Sequence, residues 1–76
     1  MSIMPTRAQV ECIRTEYPVG SRLELISMDD PWTNLRAGDQ GTVTHIDDMG
    51  QIHMRWDRGS SLALIPGEDQ FRRVTE

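Results

Sequence analysis

The chain contains no lysine; its eight basic residues are all arginine. Amine chemistry, a Schiff base for example, therefore has no donor beyond the N-terminus. Positive charge is not in excess either, since the net charge is −4. Sequence-independent binding to a phosphate backbone needs a basic surface, so nucleic acid is a disfavoured partner. The acids do not form one block, which argues against an acidic tail. Cys12 is the single cysteine. An internal disulfide is excluded, and this usage fits a reducing compartment. No segment approaches the ~18 consecutive apolar residues of a membrane span. The start, MSIMPTRAQ, lacks the apolar run of a secretory signal. These absences together read as a cytoplasmic chain with no membrane partner.

What is present is patterned rather than disordered. At 76 residues the chain has room for one core and one domain, 1–76, and buries only roughly 60% of its unfolded surface. Thr6-Arg7-Ala8-Gln9 has the form of a capping box, with Thr6 and Gln9 exchanging hydrogen bonds. Val10, Ile13 and Tyr17 follow on one helical face. Pro18 disfavours a helical Tyr17. The spacing predicts one helix within 6–17, its helical residues about 7–16, followed by a turn at Pro18–Ser21.

From residue 21 to 74 the period changes to that of strands. Arg22–Ser27 alternates, with Leu23 and Leu25 inward. Met28–Gln40 is a long irregular loop, and loops of that length in small domains are often functional. Val43 and Ile46 are three apart, so a β-bulge near Thr44-His45 is needed for both to face the core. Ile52, Met54 and Trp56 alternate cleanly. Asp48-Met49-Gly50 and Asp57-Arg58-Gly59-Ser60 suit tight turns with a left-handed glycine. Leu62 and Leu64 form the inward set of a fourth strand, and Phe71 and Val74 supply a last short strand or 3₁₀ turn. The expected architecture is mainly β: a small five-stranded SH3-like barrel, 21–74, with one N-terminal helix. The expected core is Leu23, Leu25, Val43, Ile46, Ile52, Met54, Trp56, Leu62, Leu64 and Phe71.

The motifs Tyr17-Pro18-x-Gly20-x-Arg22, Met28-Asp29-Asp30-Pro31, Gly41-Thr42-Val43, Asp47-Asp48-x-Gly50 and Arg55-Trp56-Asp57-x-Gly59 resemble an uncharacterised family of small bacterial proteins, the domain of unknown function numbered 4314. Such proteins are met in phages, plasmids and conjugative elements, mostly of Gram-positive hosts. The resemblance runs from about Val10 to Phe71 and supplies no catalytic residue. It implies a mobile-element setting, in which small proteins often bind and block a host factor.

Each candidate site has a plain structural use beside its functional one. His45 and His53 fall on neighbouring strands of one hairpin and, with Asp47 or Asp57, would offer zinc a nitrogen–oxygen set. Closely spaced ligand motifs are absent, so two surface histidines are expected and no metal. The pairs Asp29-Asp30 and Asp47-Asp48 lie at turns, which aspartate starts by bonding its own backbone; no calcium-loop spacing accompanies them. Ser60-Ser61 has no nucleophile elbow around it. No enzyme and no cofactor are expected, because no convergent set of acid, base and nucleophile appears.

Trp32 is the leading functional candidate. Trp, Tyr and Arg dominate interface hot spots, and an aromatic residue in the long loop of such a barrel borders a peptide groove. Its structural use would be as a lid over the open end of the barrel. Trp56 shares the inward face with Ile52 and Met54 and reads as core. Arg55 and His53, with Arg36 if the loop folds over, form a candidate anion site, against the plainer use of pairing with Asp47, Asp57 or Glu24. The favoured reading is a non-enzymatic module that grips a protein partner, or another copy of itself, through Trp32, Asp29, Asp30 and Tyr17. Two others stand open: a nucleotide-type ligand binder with its pocket at an oligomer interface, and an accessory of nucleic-acid machinery, the latter by fold analogy alone.

Overall fold

The structure is a computed structural model, and it describes residues 6–28 and 33–74. The helix α1 spans Arg7–Glu16. It starts where expected because Thr6 is extended and both bonds of the capping box form, Gln9 N–H to Thr6 Oγ1 at 3.2 Å and Thr6 N–H to Gln9 Oε1 at 2.7 Å. It ends at Tyr17, whose N–H still reaches the Ile13 carbonyl at 2.8 Å. Val10 is the buried anchor of α1, with Ile13 and Tyr17 packed partly on the core.

Four strands follow: β1 Arg22–Ser27, β2 Gln40–Ile46, β3 Ile52–Trp56 and β4 Gln70–Arg73. They form one antiparallel sheet in the order β3-β2-β1-β4. The predicted bulge is present. Val43 stands opposite Met54 and His45 opposite His53, so Thr44 is the extra residue and both Val43 and Ile46 turn inward. Gly50 takes the positive φ, 79°, that closes the β2–β3 hairpin.

The expectation of five strands and a closed barrel is corrected by this topology. The segment after β3 folds back along its free edge but makes a single bridge, Ile52 to Leu64, with bonds of 2.9 and 2.8 Å. Continuing that ladder would pair Met54 with Leu62. Leu62 is taken elsewhere: its carbonyl accepts from the Trp56 indole at 2.8 Å and its N–H donates to Ser60 Oγ at 3.2 Å. Pro66, two residues beyond the bridge, has no N–H to extend it. The chain then crosses to β1 as β4, and the sheet stays open.

One face of the sheet carries the core. Leu23, Leu25, Val43, Ile46, Ile52, Met54, Trp56 and Leu64 are buried, as expected. Leu62 and Phe71 are only partly so, while Val10 and Leu35 join the buried set. Leu62 owes its position to the same indole bond that removes it from the ladder. Phe71 sits on the outermost strand of the sheet, with no strand beyond it among the described residues.

Candidate functional site

Asp29, Asp30 and Trp32 lie outside the described residues. The base of their loop is well tied. The Thr33 hydroxyl accepts from Leu35 N–H at 3.1 Å, and Leu35 is 6% exposed. Arg36 to Asp39 forms a turn in which Asp39 N–H donates to the Arg36 carbonyl at 3.0 Å and Arg36 N–H donates to Asp39 Oδ2 at 2.8 Å, with Gly38 at φ 95°. Asp39 also holds Arg58 by two bonds, 2.9 and 3.1 Å. Arg58, and then the Arg36 N–H, keep its carboxyl below the ordinary range. Tyr17, the fourth residue expected to grip a partner, packs edge to face on Phe71 at 5.3 Å and joins the end of α1 to β4. Burial, and then the Glu16 carboxylate, push its phenol above the usual value.

The two histidines meet across the β2–β3 hairpin. Their rings stack at 4.1 Å with an interplanar angle of 9°. His53 Nε2 lies 2.8 Å from Asp47 Oδ2. Asp47 Oδ1 accepts from the N–H groups of Met49 and Gln51, each at 2.9 Å. One carboxylate therefore closes the hairpin and orients an imidazole. Burial alone would raise its pKa; the bonds from His53, Gln51 and Met49 outweigh that and leave it lowered. Among the described residues no group of three His, Cys, Asp or Glu is placed to hold a metal ion.

The other sheet face is polar and mostly paired. Arg22 bridges Asp57, Thr42 and Gln40, with its Nη1 2.8 Å from Asp57 Oδ1 and 3.0 Å from Thr42 Oγ1. Gln40 passes the chain of bonds to Glu24, and Glu24 to Arg72. Arg55 lies on this face opposite Thr42, exposed, and makes no ion pair among the described residues. His53 shares its strand and its face. Arg36 sits with Asp39, just before β2, while His45 and the histidine stack lie toward the far end of that strand. Two of the three candidate anion ligands are thus neighbours and the third is placed apart.

The described residues also form concave surfaces, of which two bear on binding. One, of about 370 Å³, lies between the end of α1 and β2, among Tyr17, Pro18, Val19 and Ile46. A larger groove, of about 590 Å³, lies where β1 ends and β4 begins, lined by Met28, Leu62, Ala63 and Ile65 with Glu68 and Asp69 at its rim. Its floor is fixed by the Trp56–Leu62 bond, and its wall by the turn in which Asp69 Oδ2 accepts from Ile65 N–H at 2.8 Å. Neither carboxylate has a cationic partner among the described residues. The groove is not legible in the sequence, because alternation puts Leu62 in a regular strand and Ile65 on no core face at all.

Beside the groove runs the outer edge of β4, unpaired among the described residues. Val74 N–H bonds the Arg22 carbonyl at 2.9 Å, and Arg72 stands opposite Glu24. Leu25, opposite Phe71, directs its N–H and C=O to the other side, to Asp39 and Gly38. By the alternation of an antiparallel ladder, Phe71 and Arg73 therefore point their backbone groups away from the sheet. No described residue bonds either N–H.

No helix among the described residues is long and apolar enough to cross a membrane. Compared with the curated proteins, the chain matches none. A family model does match, over residues 6–74, and by that match the chain belongs to the family described as Domain of unknown function (DUF4314).

Proposed function

We propose that this chain is a non-enzymatic binding module that engages a protein partner through the groove of Met28, Leu62, Ala63 and Ile65. The observation that carries the reading is the groove itself: Met28, Leu62, Ala63 and Ile65 lie together in a mixed polar and apolar lining braced by two side-chain-to-backbone bonds, with Glu68 and Asp69, which meet no cation among the described residues, at its rim. Such a lining fits a partner segment that presents one large apolar side chain beside an arginine or lysine. In the mobile-element setting implied by the family resemblance, that partner is a host factor. Trp32, Asp29 and Asp30 stay in the proposed contact on sequence grounds, since they follow Met28 directly in the chain.

The test is a photo-crosslinking side chain placed at Ala63 in host cells, followed by titration of the captured protein. Ile65→Glu is expected to weaken its binding at least about tenfold, the loss of one buried apolar anchor. Equal affinity for Ile65→Glu and the parent chain would remove the groove from the proposal. A second reading, an anion or nucleotide binder, is favoured by the exposed and unpaired Arg55 beside His53. Native mass spectrometry of protein from its own kind of host separates the two, because a retained small mass lost in Arg55→Ala belongs only to the ligand reading.

A further inference from the structure

We infer that the chain pairs with a second copy of itself through β4, the two edges running antiparallel about a two-fold axis at Phe71. The inference stands on the β4 edge and is independent of the groove reading. The juxtaposition behind it is the order of charge along the edge, Glu68-Asp69-Gln70-Phe71-Arg72-Arg73. Acids precede the aromatic residue and arginines follow it, so the segment is complementary to its own reverse.

The backbone restricts how two such edges meet. Only residues whose N–H and C=O point outward can exchange bonds, and on β4 these are Phe71 and Arg73. Pairing Phe71 with Arg73 of the second copy puts Arg72 against Arg72, and pairing Arg73 with itself opposes like charges directly, both unfavourable across a strand pair. Pairing Phe71 with Phe71 is the remaining register. It sets each Arg73 against Asp69 of the other copy and each Arg72 against Gln70. The two phenyl rings then meet on the core face beside Tyr17, which already packs edge to face on Phe71.

Several facts leave the edge available. Helix α1 lies over β2; Tyr17 at its end reaches β4 through the Phe71 ring and leaves the outward backbone groups unbonded. The opposite edge of the sheet, on β3, is partly covered by the bonds from Leu64 and from Trp56 N–H to Ser60. Arg73 is exposed and has no ion pair among the described residues. A short edge with two arginines resists indiscriminate strand addition; the same charges select one register for a partner whose acids are in the right place. An interface of one strand pair falls below about 1,200 Å² of buried surface, so a weak, micromolar dimer is expected. The dimer is a continuous eight-stranded sheet, with the two grooves near its centre and Arg73 of the second copy at each acidic rim.

Sedimentation equilibrium from about 10 µM to about 1 mM reads the association, since this range brackets a micromolar constant. The parent chain is expected to dimerise, less so at high salt, because exposed charge pairs are screened. Arg73→Asp alone and Asp69→Arg alone are each expected to be monomeric, since each brings like charges together. An equimolar mixture of the two is expected to form a heterodimer. In it, positions 69 and 73 are both acidic in one copy and both arginine in the other, so each facing pair is again of opposite charge. Asp69→Arg also removes the acceptor of Ile65 N–H, so Asp69→Asn, which keeps an acceptor and loses the charge, is the control for folding and is expected to weaken the dimer. A parent chain that stays monomeric throughout, or single variants that dimerise as the parent does, would overturn the inference.

Discussion

Single atoms decide two positions in this chain. Gly41 needs no positive φ; it is glycine because β2 and β3 approach too closely for anything more. A Cβ there would lie 2.9 Å from the Arg55 carbonyl oxygen and 3.0 Å from Trp56 Cα. Both are backbone atoms of a paired strand and have no rotamer in which to withdraw. Gly41→Ala is therefore expected to destabilise by about 1–3 kcal/mol, the range for overpacking a filled core. Urea unfolding followed by Trp fluorescence measures it, and an unchanged midpoint would contradict the close approach. Trp56 is the second such position. Its ring is 2% exposed and its indole N–H is the donor that draws Leu62 off the ladder. Trp56→Phe keeps a large ring but removes the donor to the half-buried Leu62 carbonyl, at a cost of roughly 0.5–1.5 kcal/mol for one lost hydrogen bond. The same variant is expected to loosen residues 60–64, seen as faster exchange of the Leu64 amide.

At the level of elements, the parts set by neighbours in sequence are legible and the parts set across the chain are not. The helix is readable to the residue because its signals are local at each end: Thr6 and Gln9 cap each other three positions apart, and Pro18 acts on the residue just before it. The bulge is readable because Val43 and Ile46 have no other way to share a face. The missing strand is not, since nothing in the alternation of Leu62 and Leu64 reveals that the Trp56 indole will claim a carbonyl. Leu35 is buried without a periodic partner, so no pattern marks it. Of the expected site, Asp47 reads as a turn former and as a neighbour of the histidines, and it is both. That dual role carries a pH dependence. The folded carboxyl of Asp47 is lowered, so its contribution is full above the unfolded value of about 3.9 and is lost as pH falls through the lower folded value. Asp47→Asn keeps an acceptor for Met49 and Gln51 while removing the charge. Its melting temperature is expected to fall below that of the parent near neutral pH, with the gap closing as pH falls through the lowered folded value of Asp47. A gap that stays constant with pH would mean that the charge does not stabilise the hairpin.

On the scale of the whole molecule, the sheet joins distant parts of the sequence in an order that leaves its two edges unlike. β1, whose partners are β2 and β4, binds the first strand to the last, with Leu23 opposite both Gly41 and Arg73. Among the described strands β4 has one neighbour, so its amides divide into two classes. The N–H of Val74 is bonded to β1, and that of Arg72 points the same way; those of Phe71 and Arg73 face outward. Opening of the sheet exposes the inward amides only when β4 detaches, whereas the outward ones exchange from the native state. Hydrogen exchange on a dilute sample is therefore expected to alternate along β4, slow at Arg72 and Val74 and fast at Phe71 and Arg73, with the amides of Leu25 and Val43 slowest of all because their strands are flanked on both sides. Raising the concentration is expected to slow Phe71 and Arg73 selectively if the edge pairs with its own copy. Uniform exchange along β4 in the dilute sample would mean that the outer edge is already covered, and an alternation that ignores concentration would leave that edge to a different protein.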